Sequence, residues 1–235
     1  MKERGMIFNG EMVRAILDGR KTQTRRPVNP QPELTAGSGF SWKGWVYGSG
    51  STDRETNKNF AHVACPHGKP GDRIWVRETF QGPLFDYEQM EAYQEDSSKF
   101  QKPEFCVYKA DGKPAPEFFD ADENLHCSWR PSIHMPRWAS RITLEITGVR
   151  VERLQQISES EAAIEGMIFT DYGVGRFGQQ NPGYSWRPTT HTDQCLPNAR
   201  MAYANLWEEI YGEGSWQANP WVWVIEFERV EGVDQ

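Results

Sequence analysis

Apolar and polar positions alternate along this chain in several short stretches, each bounded by turn residues. Asn9 is a suitable N-cap and Glu11 suits a first helical turn, while Phe8 and Val13 stand at hydrophobic-staple spacing. Val13, Ile16 and Leu17 then share one face at i, i+3, i+4 spacing, and Gly19 ends this first helix. Arg20 to Arg26 leaves the helix and enters a strand that Pro27 and Pro30 stop. After the turn Pro70-Gly71-Asp72, the segment Arg73 to Phe80 reads as a strand, with Ile74, Val76 and Phe80 on one face and Arg73, Trp75 and Arg77 on the other.

Ser140 to Thr147 alternates with Ile142, Leu144 and Ile146 inward; past Gly148 the apolar parity moves to Val149 and Val151, as a bulge or bend would produce. Ser158 and Glu161 match a capping box, so a short helix is expected over about 159–165, closed by Gly166. Ala199, Ala202, Tyr203, Leu206, Trp207, Ile210 and Tyr211 keep helical spacing up to Gly212, and Trp221 to Val230 reads as the last strand. Residues 28–70, 81–137 and 170–197 read as long loop insertions, the second with a strand at Phe105–Lys109. Trp42, Trp45, Tyr47 and Phe60 argue that the first of these packs on something. The order admits few βαβ units. It predicts an α+β chain: one domain over 1–235, a small mixed barrel with flanking helices and the three insertions.

Composition adds limits. The net charge of −7 excludes a generally basic nucleic-acid coat. A local basic site remains open, because residues 9–28 hold Arg14, Arg20, Lys21, Arg25 and Arg26 against Glu11 and Asp18, five positive and two negative charges. Four cysteines without a CxxC pair, and no N-terminal apolar stretch, lead to the expectation of free thiols in a reducing cytoplasm. The longest apolar run, Trp221 to Ile225, is too short to span a bilayer, so no membrane partner is expected. His62, Cys65 and His67, with His126 and Cys127, could complete a tetrahedral set, but their spacing is irregular; no metal or other cofactor is expected.

Candidate chemistry concentrates first at Asp18 to Arg26. A Gly-terminated helix followed by Lys, two Thr and two Arg gathers donors and hydroxyls at one backbone exit, suited to a phosphate, a base edge or a polarised carbonyl. It is not a P-loop, since the Lys follows its helix. In a regular strand Lys21 and Thr24 would face opposite ways, so they converge only if the chain turns between them. Glu165, in the last turn of its helix, sits where the macrodipole disfavours a carboxylate; such an anion meets a cation or is held ready to move a proton.

Gly19-Arg20-Lys21-Thr22-Gln23-Thr24-Arg25-Arg26 resembles the signature turn of ASCH domains, in the PUA-like β-barrel group. Gly71-Asp72-Arg73-Ile74-Trp75-Val76-Arg77-Glu78 resembles their second-strand motif, and Ile157 to Met167 and Trp221 to Phe227 are similar to their late helix and closing strand. The stretch from His134 to Ile142 is similar to the longer ASCH proteins of phages and prophages. Small bacterial members include N(4)-acetylcytidine amidohydrolases with a functional Lys, Thr and Glu. The resemblance therefore implies Lys21, Thr24 and Glu165 as catalytic residues, with Arg20, Thr22, Arg25, Arg26, Trp75, Arg77 and Glu78 around a nucleoside or RNA. Thr24 would attack the acyl carbonyl, Lys21 would take its proton, and Glu165 would position Lys21 or protonate the leaving amine. Three other readings stand beside it: an inert Lys21–Glu165 ion pair, a non-catalytic module binding RNA or a modified base, with Trp42, Trp45, Trp75 and Trp186 as stacking surfaces, and a phage accessory factor binding a host protein.

Overall fold

The computed structural model describes residues 1–35, 39–48, 53–119, 124–174 and 180–230. In chain order the elements are β1 (Glu3–Ile7), α1 (Gly10–Leu17), β2 (Gln23–Pro27), β3 (Glu33–Thr35), β4 (Gly39–Trp42), β5 (Trp45–Tyr47), α2 (Asp53–Ala64), β6 (Arg73–Arg77) and β7 (Phe80–Gln81). There follow α3 (Met90–Glu95), β8 (Val107–Tyr108), β9 (Glu117–Phe119), β10 (Leu125–Cys127), β11 (Thr143–Arg153), α4 (Glu159–Ile164), β12 (Ile168–Val174), β13 (Gln180–Ser185), α5 (Ala199–Tyr211) and β14 (Trp221–Arg229). The chain is thus α+β, as expected. Its strands form open sheets, and none closes into a barrel among the described residues. No helix among them is long and apolar enough to cross a membrane.

The chain divides into two compact units. One comprises Met1–Arg14, Arg73–Leu144 and Arg229–Gln235; the other comprises Ala15–Asp72 and Glu145–Glu228. In the first, β1 pairs in parallel with β6 from Glu3↔Arg73 to Ile7↔Arg77. Val76 N–H donates to the Ile142 carbonyl at 3.0 Å just before β11 begins. Ile74 and Val76 are buried at alternate positions of β6, the period of a strand with one core face. The single strand expected over 73–80 breaks after Arg77, and Phe80 starts β7, which pairs with β8. The break frees Glu78 from the ladder; its carboxylate takes a bidentate bond from Arg141 at 3.0 and 3.1 Å. Phe80, Tyr108, Met135 and Ala139 form the core here. Phe85 stacks on Tyr93 at 4.3 Å, and both meet Phe100.

In the second unit β14 pairs antiparallel with β2, from Val222↔Pro27 to Glu226↔Gln23, and β11 neighbours β14. Residues 28–70 are not the loop expected: β3, β4 and β5 form an antiparallel sheet, and α2 packs its Phe60 onto it. Burial of the aromatics is the reason. Phe60 lies 4.7 Å from Phe40, 5.8 Å from Trp42 and 5.0 Å from Trp223, all with little solvent contact. Residues 170–197 likewise depart from expectation, because β12 and β13 form a hairpin whose glycines and Pro182 obscure its alternation. Along β11 the buried positions shift from Leu144 and Ile146 to Val149 and Val151. Helix α5 buries Ala199, Ala202, Tyr203, Leu206 and Trp207, whereas Ile210 and Tyr211 in its last turn are exposed.

Candidate functional site

All of the catalytic candidates lie in the second unit. After α1 the chain turns at Gly19, whose φ of +74° suits a residue without a Cβ. Lys21 N–H donates to the Ala15 carbonyl at 2.9 Å, and Lys21 forms an isolated antiparallel bridge with Glu165. Thr22 N–H donates to the Ile164 carbonyl at 3.1 Å, which holds the basic turn against the end of α4. Gly166 permits this approach: at φ +102° a Cβ there would stand 2.8 Å from the Ala15 Cβ and 3.3 Å from the Lys21 Cβ. On its other side α4 starts with the expected capping box, Ser158 Oγ accepting from Glu161 N–H and Glu161 Oε2 accepting from Ser158 N–H.

Lys21 and Glu165, 144 positions apart, meet here. Lys21 Nζ donates to Glu165 Oε2 at 2.7 Å and to the Glu165 carbonyl oxygen at 2.9 Å. Arg25 Nη1 donates to Glu165 Oε1 at 3.1 Å, so both carboxylate oxygens are taken by cations. The Lys21 and Arg25 side chains are 0 % exposed and that of Glu165 is 1 % exposed. Burial pushes the Lys21 pKa down; Glu165 opposes it, Arg26 and Arg25 add to the fall, and the net lies below the ordinary lysine value. Burial, with a contribution from Glu165, holds the Tyr203 phenol of α5 well above its usual range and hence neutral.

The pair belongs to a wider network. Arg25 Nη2 lies 3.3 Å from Glu152 Oε2 and 3.4 Å from Glu161 Oε2. Arg150 donates to Glu152, Glu161 and Glu226, and to Gln23 Oε1 at 3.1 Å. Sequence reasoning missed Gln23, Arg150, Glu152 and Glu226. Their signal was present in the strand period, since Gln23 and Arg25 are two apart on β2, and Arg150 and Glu152 two apart on β11, so each pair shares a face.

The same period locates Thr24. Gln23 meets Arg150 and Arg25 meets the carboxylates of one network, so Thr24 between them projects to the other face of β2, where its cross-strand partner is Ile225. Arg20 donates to the Gly166 carbonyl at 2.8 Å and pairs with Asp18, while Thr22 is exposed and Arg26 half-buried. Trp75, Arg77 and Glu78 lie in the first unit. There the Arg77 guanidinium stands 5.4 Å from the Trp75 ring centroid and donates to the Ser132 carbonyl at 3.2 Å. Glu78 is tied to Arg141, which also holds Asp111 and covers the Tyr108 ring at 3.9 Å. Among the described residues no group of three or more His, Cys, Asp or Glu is arranged to hold a metal ion.

Glu161 makes the network sensitive to acid. Burial pushes its carboxyl up, but the Ser158 hydrogen bonds and the Arg25 and Arg150 charges together hold it below the ordinary 4.5. A carboxylate with a lowered folded pKa contributes stability that is fully present above its unfolded value and is lost as pH falls through the folded one. Urea midpoints followed from about pH 6 to about pH 3 should therefore fall more steeply for the wild type than for Glu161→Gln.

No family model, no curated protein and no solved structure matches the chain.

Proposed function

We propose that the Lys21–Glu165 centre belongs to an amidohydrolase acting on an acylated nucleoside or nucleobase, as the resemblance of its basic turn to ASCH and PUA-like proteins implies. One observation carries this reading: an ammonium and a carboxylate 144 residues apart in sequence share a 2.7 Å hydrogen bond in a fully enclosed setting. Enclosure lowers the Lys21 pKa, and a lysine that can lose its proton is a competent general base. Water is the attacking oxygen in this arrangement, because Thr24 lies on the opposite face of β2 from Arg25. Neutral Lys21 takes a proton as the water oxygen bonds to the acyl carbon. The C–N bond then breaks, and that proton passes to the departing amine, leaving a carboxylic acid and the free base. Glu165 orients the Lys21 amine.

Turnover of N(4)-acetylcytidine tests this. Lys21→Met should lower it by ~10²-fold or more while the chain remains folded. Thr24→Ala should retain most of it; loss of turnover there would return the hydroxyl to the role the resemblance implies.

A second reading is favoured by the burial itself. Side chains 0–1 % exposed with every charge paired also suit a rigid, non-catalytic network in a base-binding module, and a ligand reaches them only if the covering elements part. Saturable binding of cytidine-containing RNA, without hydrolysis, would select it.

A further inference from the structure

Gln23 is fully buried, at 0 % exposure, on the strand face that carries Arg25. Its Oε1 accepts from Arg150 Nη2 at 3.1 Å, which fixes the sense of the carboxamide: oxygen toward the guanidinium, nitrogen away from it. The Nε2 that results is buried and has no hydrogen-bond partner among the described residues. Arg25 Nε, two residues along the same face, is in the same condition, although the Arg25 terminal nitrogens are engaged by Glu152, Glu161 and Glu165. An unpaired buried donor is costly, and buried polar groups are satisfied in the great majority of folded proteins. Gln23 Nε2 and Arg25 Nε stand two residues apart on one face of β2 beside one carboxylate cluster, so an acceptor from outside the chain would satisfy both. Both are N–H groups, so the missing group is an acceptor. The surrounding carboxylates Glu152, Glu161, Glu165 and Glu226 disfavour an anion and favour a neutral oxygen, such as a ligand carbonyl or a water.

We infer that Gln23 is a substrate-positioning residue, whose Nε2 donates to a carbonyl oxygen of the ligand, with Arg25 Nε as the adjacent donor. This rests on the reading of the Lys21–Glu165 centre as a nucleoside site and adds its orienting contact. Gln23 lies within the basic turn but is not among the Lys, Thr and Glu that the resemblance implies. Gln23 acts on placement of the carbonyl, not on proton transfer, so its loss falls on binding more than on the chemical step.

The test is the side-chain amide resonance of Gln23 in the ¹⁵N-labelled whole chain, assigned by its disappearance in Gln23→Met, during titration with cytidine and with N(4)-acetylcytidine. The expected result is a saturable shift of that resonance, with Gln23→Met binding both ligands about tenfold more weakly. Its melting temperature should be equal to or above wild type, since an unpaired buried amide has been removed. A resonance unmoved while N(4)-acetylcytidine is hydrolysed overturns the inference and leaves the hydrolase reading standing. A shift without hydrolysis keeps the inference and removes that reading. No shift and no hydrolysis removes both. A lowered melting temperature in Gln23→Met with unchanged affinity marks Gln23 as structural, its amide served by a buried water, and also overturns the inference.

Discussion

Glu165→Ala is expected to cost about 3–5 kcal/mol of folding stability, the effect of breaking a buried ion pair by removing one partner. The Glu165 carboxylate is shared by Lys21 and Arg25, both fully enclosed. Among the described residues, truncation leaves Lys21 Nζ the backbone carbonyl of residue 165 and leaves Arg25 to Glu152 and Glu161. Lys21→Met should cost less, because Glu165 keeps Arg25 and the methionine fills much of the lysine volume without a charge. The order of the two variants is thus as informative as their size. Denaturant midpoints at unchanged slope measure both. A loss under about 1 kcal/mol for Glu165→Ala would place the pair in the class of solvent-screened surface bridges.

Trp223→Ala should cost a similar ~3–5 kcal/mol by a different route, the cavity left by a large core side chain. Trp223 is 1 % exposed, and its ring stands 5.0 Å from that of Phe60 and 6.0 Å from that of Trp42. Loss of the near-ultraviolet circular dichroism from these coupled aromatics should accompany the destabilisation. Because Trp223 lies on β14 opposite Arg26, on the face of Thr24 and away from the carboxylate network, turnover per folded molecule should stay near wild type. Activity lost beyond the unfolded fraction would put that aromatic face in contact with the ligand and would move the substrate to the Thr24 side of β2.

Much of the second unit was legible where a local rule and the core agreed. The Ser158–Glu161 box, the glycine stops at 19, 166 and 212, and the parity shift in β11 each follow from a few neighbouring residues. So did the meeting of a cation with Glu165, which the unfavourable position of an anion at a helix C-terminus suggested. The β3–β5 sheet and the β12–β13 hairpin were not legible. The strands β3, β4 and β5 are only three or four residues long, Gly173, Pro182 and Gly183 interrupt β12 and β13, and what holds Phe40 and Trp42 in place is contact with Phe60 and Trp223, distant in sequence. The break after Arg77 escaped for a related reason, since it serves a carboxylate–guanidinium pair between residues 78 and 141. Gln23 and Arg150 were hidden because charged and amide side chains on strands read as solvent-facing until a facing set of opposite charge is known.

The separation of Lys21 from its partner has a consequence during synthesis. At ribosomal rates of 5–20 residues per second, the 144 positions between them represent roughly 7 to 30 s of translation. Throughout that interval the nascent amine lacks the Glu165 carboxylate. A centre closed by so long a loop is completed only when most of the chain has left the ribosome, so a product terminated before codon 165 would carry the basic turn in an open, protease-accessible form.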